Sequence, residues 1–310
     1  MIRKTRFILT FLLVVSIVMA AAGCGNKVQD IPQTEDAIAI DYVSAVIGYL
    51  GPEGTYSQEA CGVFFEKKGT YIPYETVADA VEALKKGNCT YAVIPQENTI
   101  GGAVTDYLDI VIANQQLSVV GEVELPINQN LLVLPGTDLK KIKKIYSHKQ
   151  GIAQGKDWIT KNLPQAEVIE VSSTSEGARI VSEAGDETQA AIASAACADV
   201  YGLEIIAESI QNNHNNKTRF YVLSTTAPSY GKGDRTAFIV SGKADALPQL
   251  MAELEKNGIR LVTLHERPEK TELGNYVYLI ECSNINQEQL KKLTENSSLA
   301  FRYLGSFDVH

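Results

Sequence analysis

The chain has 310 residues, 45% hydrophobic and 21% charged, with a formal net charge of −9. That length exceeds one usual domain, and the composition excludes a fibrous or disordered chain. The acidic balance and the lack of a long basic run in the folded part argue against nucleic acid as the main partner, so any anionic ligand would make individual Arg and Lys residues informative.

At the N-terminus, Arg3, Lys4 and Arg6 precede Phe7 to Gly23, a stretch without a charge, and Ala21-Ala22-Gly23 then places small residues before Cys24. This order predicts a secretory signal over residues 1–23 that is no part of the fold. It resembles a lipobox, with Ala21 where leucine is usual. The resemblance implies acylation of Cys24 and a lipid anchor on the extracytoplasmic side of a cell membrane. A plain signal peptide or an uncleaved anchor is the alternative. Residues 24–45 are mostly polar, without a firm period, and read as a tether.

The first strand is predicted at Val46 to Leu50, ending in the turn Gly51-Pro52-Glu53-Gly54. Thr55 and Gln58 match a capping box that opens a helix through Phe65. Thr76 and Asp79 open another, with Val77, Ala80, Val81 and Leu84 on one stripe, closed at Gly87. Strand-like runs follow at 91–95, 130–134, 144–147, 168–171, 190–193 and 219–223, with helical patterns between most of them. This alternation predicts an α/β unit with mainly parallel sheets and ligands at the carboxyl ends of strands. The Gly-rich break at 229–234 separates a catalytic-type part, 46–228, from a C-terminal set, 234–310, whose order βαββαβ is ferredoxin-like. Cys61, Cys89, Cys197 and Cys282 fit no zinc spacing and sit beside apolar residues, so buried thiols are expected; disulfide pairing stays open.

Three loops join strand ends to helix starts and carry neutral donors: Gly51 to Ser57, Pro95 to Gly102, and Ser173-Thr174-Ser175. Glycine lets backbone N–H groups approach a ligand, and a helix start favours an anion. Any one of them alone would be simple N-capping; together they favour a small-anion site. Asn215 to Phe220 adds the hydroxyl of Thr218 and the guanidinium of Arg219, a group suited to a carboxylate. His148, at a further strand end, ranks below Thr218 because a lone histidine is more often structural.

Gly51-Pro52-Glu53-Gly54-Thr55-Tyr56-Ser57 resembles the opening motif of prephenate dehydratases. Pro95-Gln96-Glu97-Asn98-Thr99 is similar to their P-x-E-N-S loop, Ser173-Thr174-Ser175 to their S-T-A segment, and Thr218-Arg219-Phe220 to their T-R-F signature. Ser147 to Gly155 corresponds to the S-H-P-Q-A-x-x-Q-C loop, with Lys149 in place of proline and Gly151 and Gly155 in place of alanine and cysteine. The resemblance implies a bilobal, periplasmic-binding-protein-like catalytic domain. It implies a lyase of phenylalanine biosynthesis that converts prephenate to phenylpyruvate without metal or organic cofactor. Thr218 and Glu97 would be catalytic. Thr55, Tyr56, Ser57, Asn98, Thr99, Ser147, Gln150, Ser173, Thr174, Arg219 and Phe220 would bind substrate.

The C-terminal unit resembles an ACT domain, which in this family binds phenylalanine as feedback inhibitor; a homodimer is expected, and whether ACT pairing makes it stays open. Its two motifs read Asp245-Ala246-Leu247-Pro248 and His265-Glu266-Arg267-Pro268, giving Ala246, Leu247, Arg267 and Pro268 as regulatory residues. Asp245 and Glu266 stand where the family has glycine and serine, which predicts weakened capture of an amino acid carboxylate by repulsion. The second reading is a lipid-anchored binding protein for an aromatic or keto acid, without catalysis, since function belongs to the site and not to the fold.

Overall fold

A computed structural model describes residues 40–229, 231, 233–283, 285–295 and 299–310. The signal segment, Cys24 and most of the tether therefore lie outside the described residues, as does the side chain of Ala246. The last residues of the expected tether, 40–45, touch the folded part. Ala45 is buried, Ile40 packs on the first core, and Tyr42 meets the edge of Phe65 at 5.7 Å. Ile40, Tyr42 and Ala45 turn inward here, while Val43 stays exposed.

The first lobe contains β1 (Val46–Leu50), α1 (Tyr56–Phe64), β2 (Thr70–Tyr74), α2 (Val77–Lys85), β3 (Tyr91–Asn98), β4 (Gly102–Ala103), α3 (Thr105–Ala113) and β5 (Ser118–Pro126). The second contains β6 (Asn130–Val133), β7 (Lys144–Ser147), α4 (Lys149–Asn162), β8 (Glu167–Glu170), α5 (Thr174–Ala184), β9 (Gln189–Ala193), α6 (Ala195–Tyr201) and β10 (Glu204–Ala207). The chain then returns to the first lobe as β11 (Lys217–Ser224). The strand orders are β2-β1-β3-β11-β5, with β4 on β3, and β10-β6-β9-β7-β8. Both sheets are mixed, a correction to the mainly parallel expectation. β1 pairs β2 and β3 in parallel, but the returning β11 runs antiparallel to β3 and β5. In the second sheet, β6 is antiparallel to β9 and β10.

Capping explains where the helices start. Thr76 accepts from the N–H of Asp79 at 3.1 Å, and its own hydroxyl donates to that aspartate at 2.6 Å. The box expected at α1 forms differently. Thr55 donates to the Leu50 carbonyl at 3.1 Å, and Gln58 reaches back to the N–H of Gly54 at 2.6 Å. The first N–H groups of α1 are left without a side-chain cap.

The C-terminal unit comprises β12 (Arg235–Lys243), α7 (Leu247–Lys256), β13 (Leu261–Pro268), β14 (Asn275–Ser283), α8 (Gln287–Glu295) and β15 (Ala300–Phe307). Its sheet, ordered β13-β14-β12-β15, is antiparallel, so the βαββαβ arrangement is present. Phe238, Val240, Tyr278 and Ile280 face Leu250, Leu254, Leu290 and Leu293 of α7 and α8. On the other face, Ala237, Ile239, Val277, Leu279 and Leu304 join one core with Val77, Val81 and Leu84 of α2 and Leu108 and Val111 of α3. The chain end extends this junction: the His310 N–H donates to the Glu122 carbonyl and the Glu124 N–H to the His310 carbonyl, both at 2.9 Å.

Arg267 is one of the expected regulatory residues. It is gripped by Asp109 of α3 through bonds of 2.6 and 3.0 Å. Leu247 packs against the α7–α8 core, and Pro268 is exposed at the end of β13. Among the described residues, Cys61, Cys89, Cys197 and Cys282 are buried free thiols. Burial pushes the Cys282 thiol up to about 12 and raises those of Cys61 and Cys197, so none of these three is poised as a nucleophile at neutral pH.

Candidate active site

A cleft of about 1120 Å³ lies between the two lobes and is lined from both. Three helix starts open onto it: Thr55, Tyr56 and Ser57 at α1, His148 and Gln150 at α4, and Ser173 and Thr174 at α5. The last two are capped from within, His148 Nδ1 accepting from the Gln150 N–H at 3.3 Å and Ser173 from the Glu176 N–H at 2.9 Å. The charged residues lining the cleft are Glu53, Glu75 and Glu176; among the described residues it is lined by no lysine or arginine. An anion in this cleft would meet the positive ends of helices and no cationic side chain of a lysine or arginine among the described residues.

Thr218 and Phe220 of β11 line the cleft, as does Asn98 at the end of β3. Asn98 is held firmly. Its carbonyl oxygen accepts from the N–H groups of Ile100 and Gly101 at 3.0 and 2.9 Å, which fixes which end of the amide is nitrogen. That nitrogen donates to Asn216 Oδ1 and to Thr218 Oγ1, both at 2.9 Å. Thr218 is therefore an acceptor towards Asn98, and its own hydroxyl proton remains available to a ligand in the cleft.

Four residues expected at the site lie elsewhere. Side chains alternate along β11, so Arg219 and Tyr221 face away from Thr218 and Phe220. Arg219 is bonded by Glu122 at 2.7 Å through both Nε and Nη2, by Glu97 at 3.0 Å, and by Glu281 of β14. Burial opposes its charge, but these carboxylates more than offset that and hold the guanidinium ionised. Glu97 is likewise turned out of the cleft. The register of β3 on β11 slips between Arg219 and Phe220, leaving Gln96 as an extra residue, and both Gln96 and Glu97 bond on the Arg219 side. Thr99 fastens its loop to β11, donating to the Lys217 carbonyl and accepting from the Lys217 N–H, both at 3.1 Å. Ser147 is fully buried and donates to the Ile192 carbonyl at 2.6 Å.

The cleft also holds residues absent from the expected set. Asn216 is 2% exposed and bonded to Asn98. Gln129 donates to Gln154 at 3.0 Å, joining the loop after β5 to α4. Gln154 stood in the Ser147–Gly155 loop and Asn216 beside Thr218, so both had a signal; Gln129 is an isolated amide with none. The Glu53-Gly54 turn locks the lobes together. Ser175 and, at 3.1 Å, Tyr201 donate to the Glu53 carbonyl, while Ser194 and Cys197 donate to the Gly54 carbonyl at 2.8 and 3.0 Å. Tyr56 donates across to the Asn128 carbonyl at 2.5 Å.

A family model described as prephenate dehydratase matches residues 47–228. The chain is 35% identical over 268 residues to a bifunctional chorismate mutase/prephenate dehydratase of Neisseria gonorrhoeae, covering 84% of this chain and 74% of that one. It is 33% identical over 275 residues to a prephenate dehydratase of Lactococcus lactis, covering 85% and 98%. The crystal structure of a prephenate dehydratase from Arthrobacter aurescens in complex with L-Phe superposes with a TM-score of 0.74 and 29% identity, covering 85% of this chain and 90% of that one. The chain belongs to the prephenate dehydratase family.

Proposed function

We propose that the cleft converts prephenate to phenylpyruvate by loss of CO₂ and water, the lyase step of phenylalanine biosynthesis. The observation that carries this is the Thr218 hydroxyl, which accepts from Asn98 at 2.9 Å and so keeps its proton for an oxygen in the cleft. Aromatisation drives the reaction. The difficulty is the departing ring hydroxyl, which leaves poorly unless it is protonated or strongly hydrogen-bonded. Thr218 is a weak acid and acts as a donor to the oxygen as charge builds on it. Electrons from the breaking bond to the ring carboxylate complete the ring as the carbon–oxygen bond breaks; CO₂ departs, and the oxygen leaves as hydroxide that takes a proton from solvent to become water. The two carboxylates of the substrate meet the uncapped start of α1 at Thr55 to Ser57 and the start of α5 at Ser173 and Thr174. Phe220 supplies an apolar surface for the ring. The test is purified protein with prephenate: phenylpyruvate formed, with saturation, supports the reading, whereas ligand-induced stabilisation without product supports a binding protein.

The same reading assigns the C-terminal βαββαβ unit as an ACT domain. Supporting it are the motifs at 245–248 and 265–268 and the L-Phe bound to the Arthrobacter aurescens relative. Phenylalanine would have to compete with Asp109 for Arg267, so binding weaker than a free arginine would give is expected. Pairing of two such units would give a homodimer. Anchoring at the extracytoplasmic membrane face through Cys24 rests on the order of Arg3, Lys4, Arg6 and the chargeless run ending at Gly23.

A further inference from the structure

We infer that Glu281, supplied by the C-terminal unit, is a positioning residue for Thr218 and acts on it through Arg219. The inference rests on the dehydratase reading of the cleft only for its catalytic readout. Glu281 lies on β14 and is 0% exposed. One of its oxygens accepts from Arg219, and the other accepts from Tyr221 and, at 2.9 Å, from Gln96. Arg219 and Tyr221 are the two outward side chains of β11 that bracket Phe220, while Thr218 and Phe220 are its cleft-facing ones. Gln96 sits on β3, two residues before Asn98. A single carboxylate from outside the catalytic part thus ties together the two strands whose ends carry the Asn98–Thr218 hydrogen bond. Tightening or loosening that tie moves the donor hydroxyl relative to the cleft, without Glu281 touching substrate.

The surrounding charges make this testable without stranding a buried cation. Arg219 and Arg235 face Glu97, Glu122, Glu124 and Glu281, so carboxylates outnumber guanidinium groups. Glu281→Gln removes one acid of the excess and leaves Arg219 with Glu122 and Glu97.

The experiment uses the full chain and compares kcat and KM for prephenate in the wild type, Glu281→Gln, Thr218→Ala and the double variant. Asp109→Asn, which breaks a different ion pair between the same units, is the control. Glu281→Gln is expected to lower kcat at least tenfold with KM within twofold. It should add nothing in the Thr218→Ala background, because both changes remove one interaction. Asp109→Asn should keep the wild-type kcat. An unchanged kcat for Glu281→Gln overturns the inference. So does an equal loss on top of Thr218→Ala, or an equal loss in Asp109→Asn, since these mark general undocking. Amide hydrogen exchange gives a second arm that does not need turnover. Exchange at residues 96–98 and 217–220 should rise at least tenfold in Glu281→Gln while that of α5 and β9 stays constant, and unchanged exchange overturns the inference. A wild type that makes no phenylpyruvate sinks the dehydratase reading by itself, and the exchange arm still decides the role of Glu281.

Discussion

Thr218 and Arg219 are neighbours in sequence with opposite fates, and the reason is the period of two in a strand. The T-R-F motif says that both matter; it does not say which face each occupies. Alternation from Thr218 places Arg219 on the far side, which the expectation of a catalytic Thr218 beside a substrate-binding Arg219 leaves out of account. The hydroxyl of Thr218 accepts from an amide whose orientation is fixed by two backbone bonds, so its proton is left for another acceptor. Losing a preorganised donor of this kind costs on the order of 10²–10³ in turnover. Thr218→Ala should therefore lower kcat at least about a hundredfold while leaving the unfolding midpoint unchanged. Thr218→Ser, which keeps the hydroxyl, should stay within about tenfold of the wild type. Steady-state assays of both variants check this, and a serine variant as slow as the alanine one would remove the hydroxyl from the mechanism.

At the scale of elements, the regular β/α alternation was legible because its buried strands are short apolar runs between caps and glycines. Three strands of the first sheet, β2, β5 and the two-residue β4, were not. β2 carries Pro73 and exposed positions, the pattern of an edge strand, which offers no continuous apolar face to read. β5 is broken in sequence by Gly121, yet that glycine is what lets the strand pass Phe64. A Cβ there would lie 2.0 Å from Cε2 of that ring. The missing β5 hid the slot into which β11 inserts antiparallel, and with it the mixed sheet. The turn before α1, a candidate ligand loop by its sequence, is also a fastening between the lobes. Gly54 has φ of +80°, and an added Cβ would sit 2.9 Å from the Cys197 sulfur and 3.1 Å from the Ser175 hydroxyl. Gly54→Ala should thus strain the backbone and push the lobes apart, costing about 1–3 kcal/mol in urea unfolding. KM for prephenate should rise more than kcat falls, because the start of α1 would no longer face α5. An alanine variant with wild-type KM would show that the turn does not set the width of the cleft.

For the whole molecule, the C-terminal unit is a structural part of the first lobe. It shares a core with α2 and α3, lends its last residues to the edge of β5, and buries Glu281 among the outward side chains of β11. The sequence marks the unit and its βαββαβ order but not this docking, because the residues that make it are ordinary strand apolars and acids far apart in the chain. A pH dependence follows from the junction. His265 on β13 is half-buried and bonded to Thr263 at 3.2 Å, with Glu97 and Arg219 as the charges facing it. Burial lowers its pKa below the usual 6.5, Glu97 opposing that and Arg219 adding to it. The folded state therefore prefers the neutral ring. Its contribution to stability is present above the unfolded value of 6.5 and is lost as the pH falls through 6.5 towards the folded value. Thermal unfolding midpoints should accordingly drop between pH 7 and pH 5. His265→Gln, which cannot take up a proton, should show a smaller drop over the same interval. Equal drops in the two proteins would place the acid-sensitive group somewhere other than this junction.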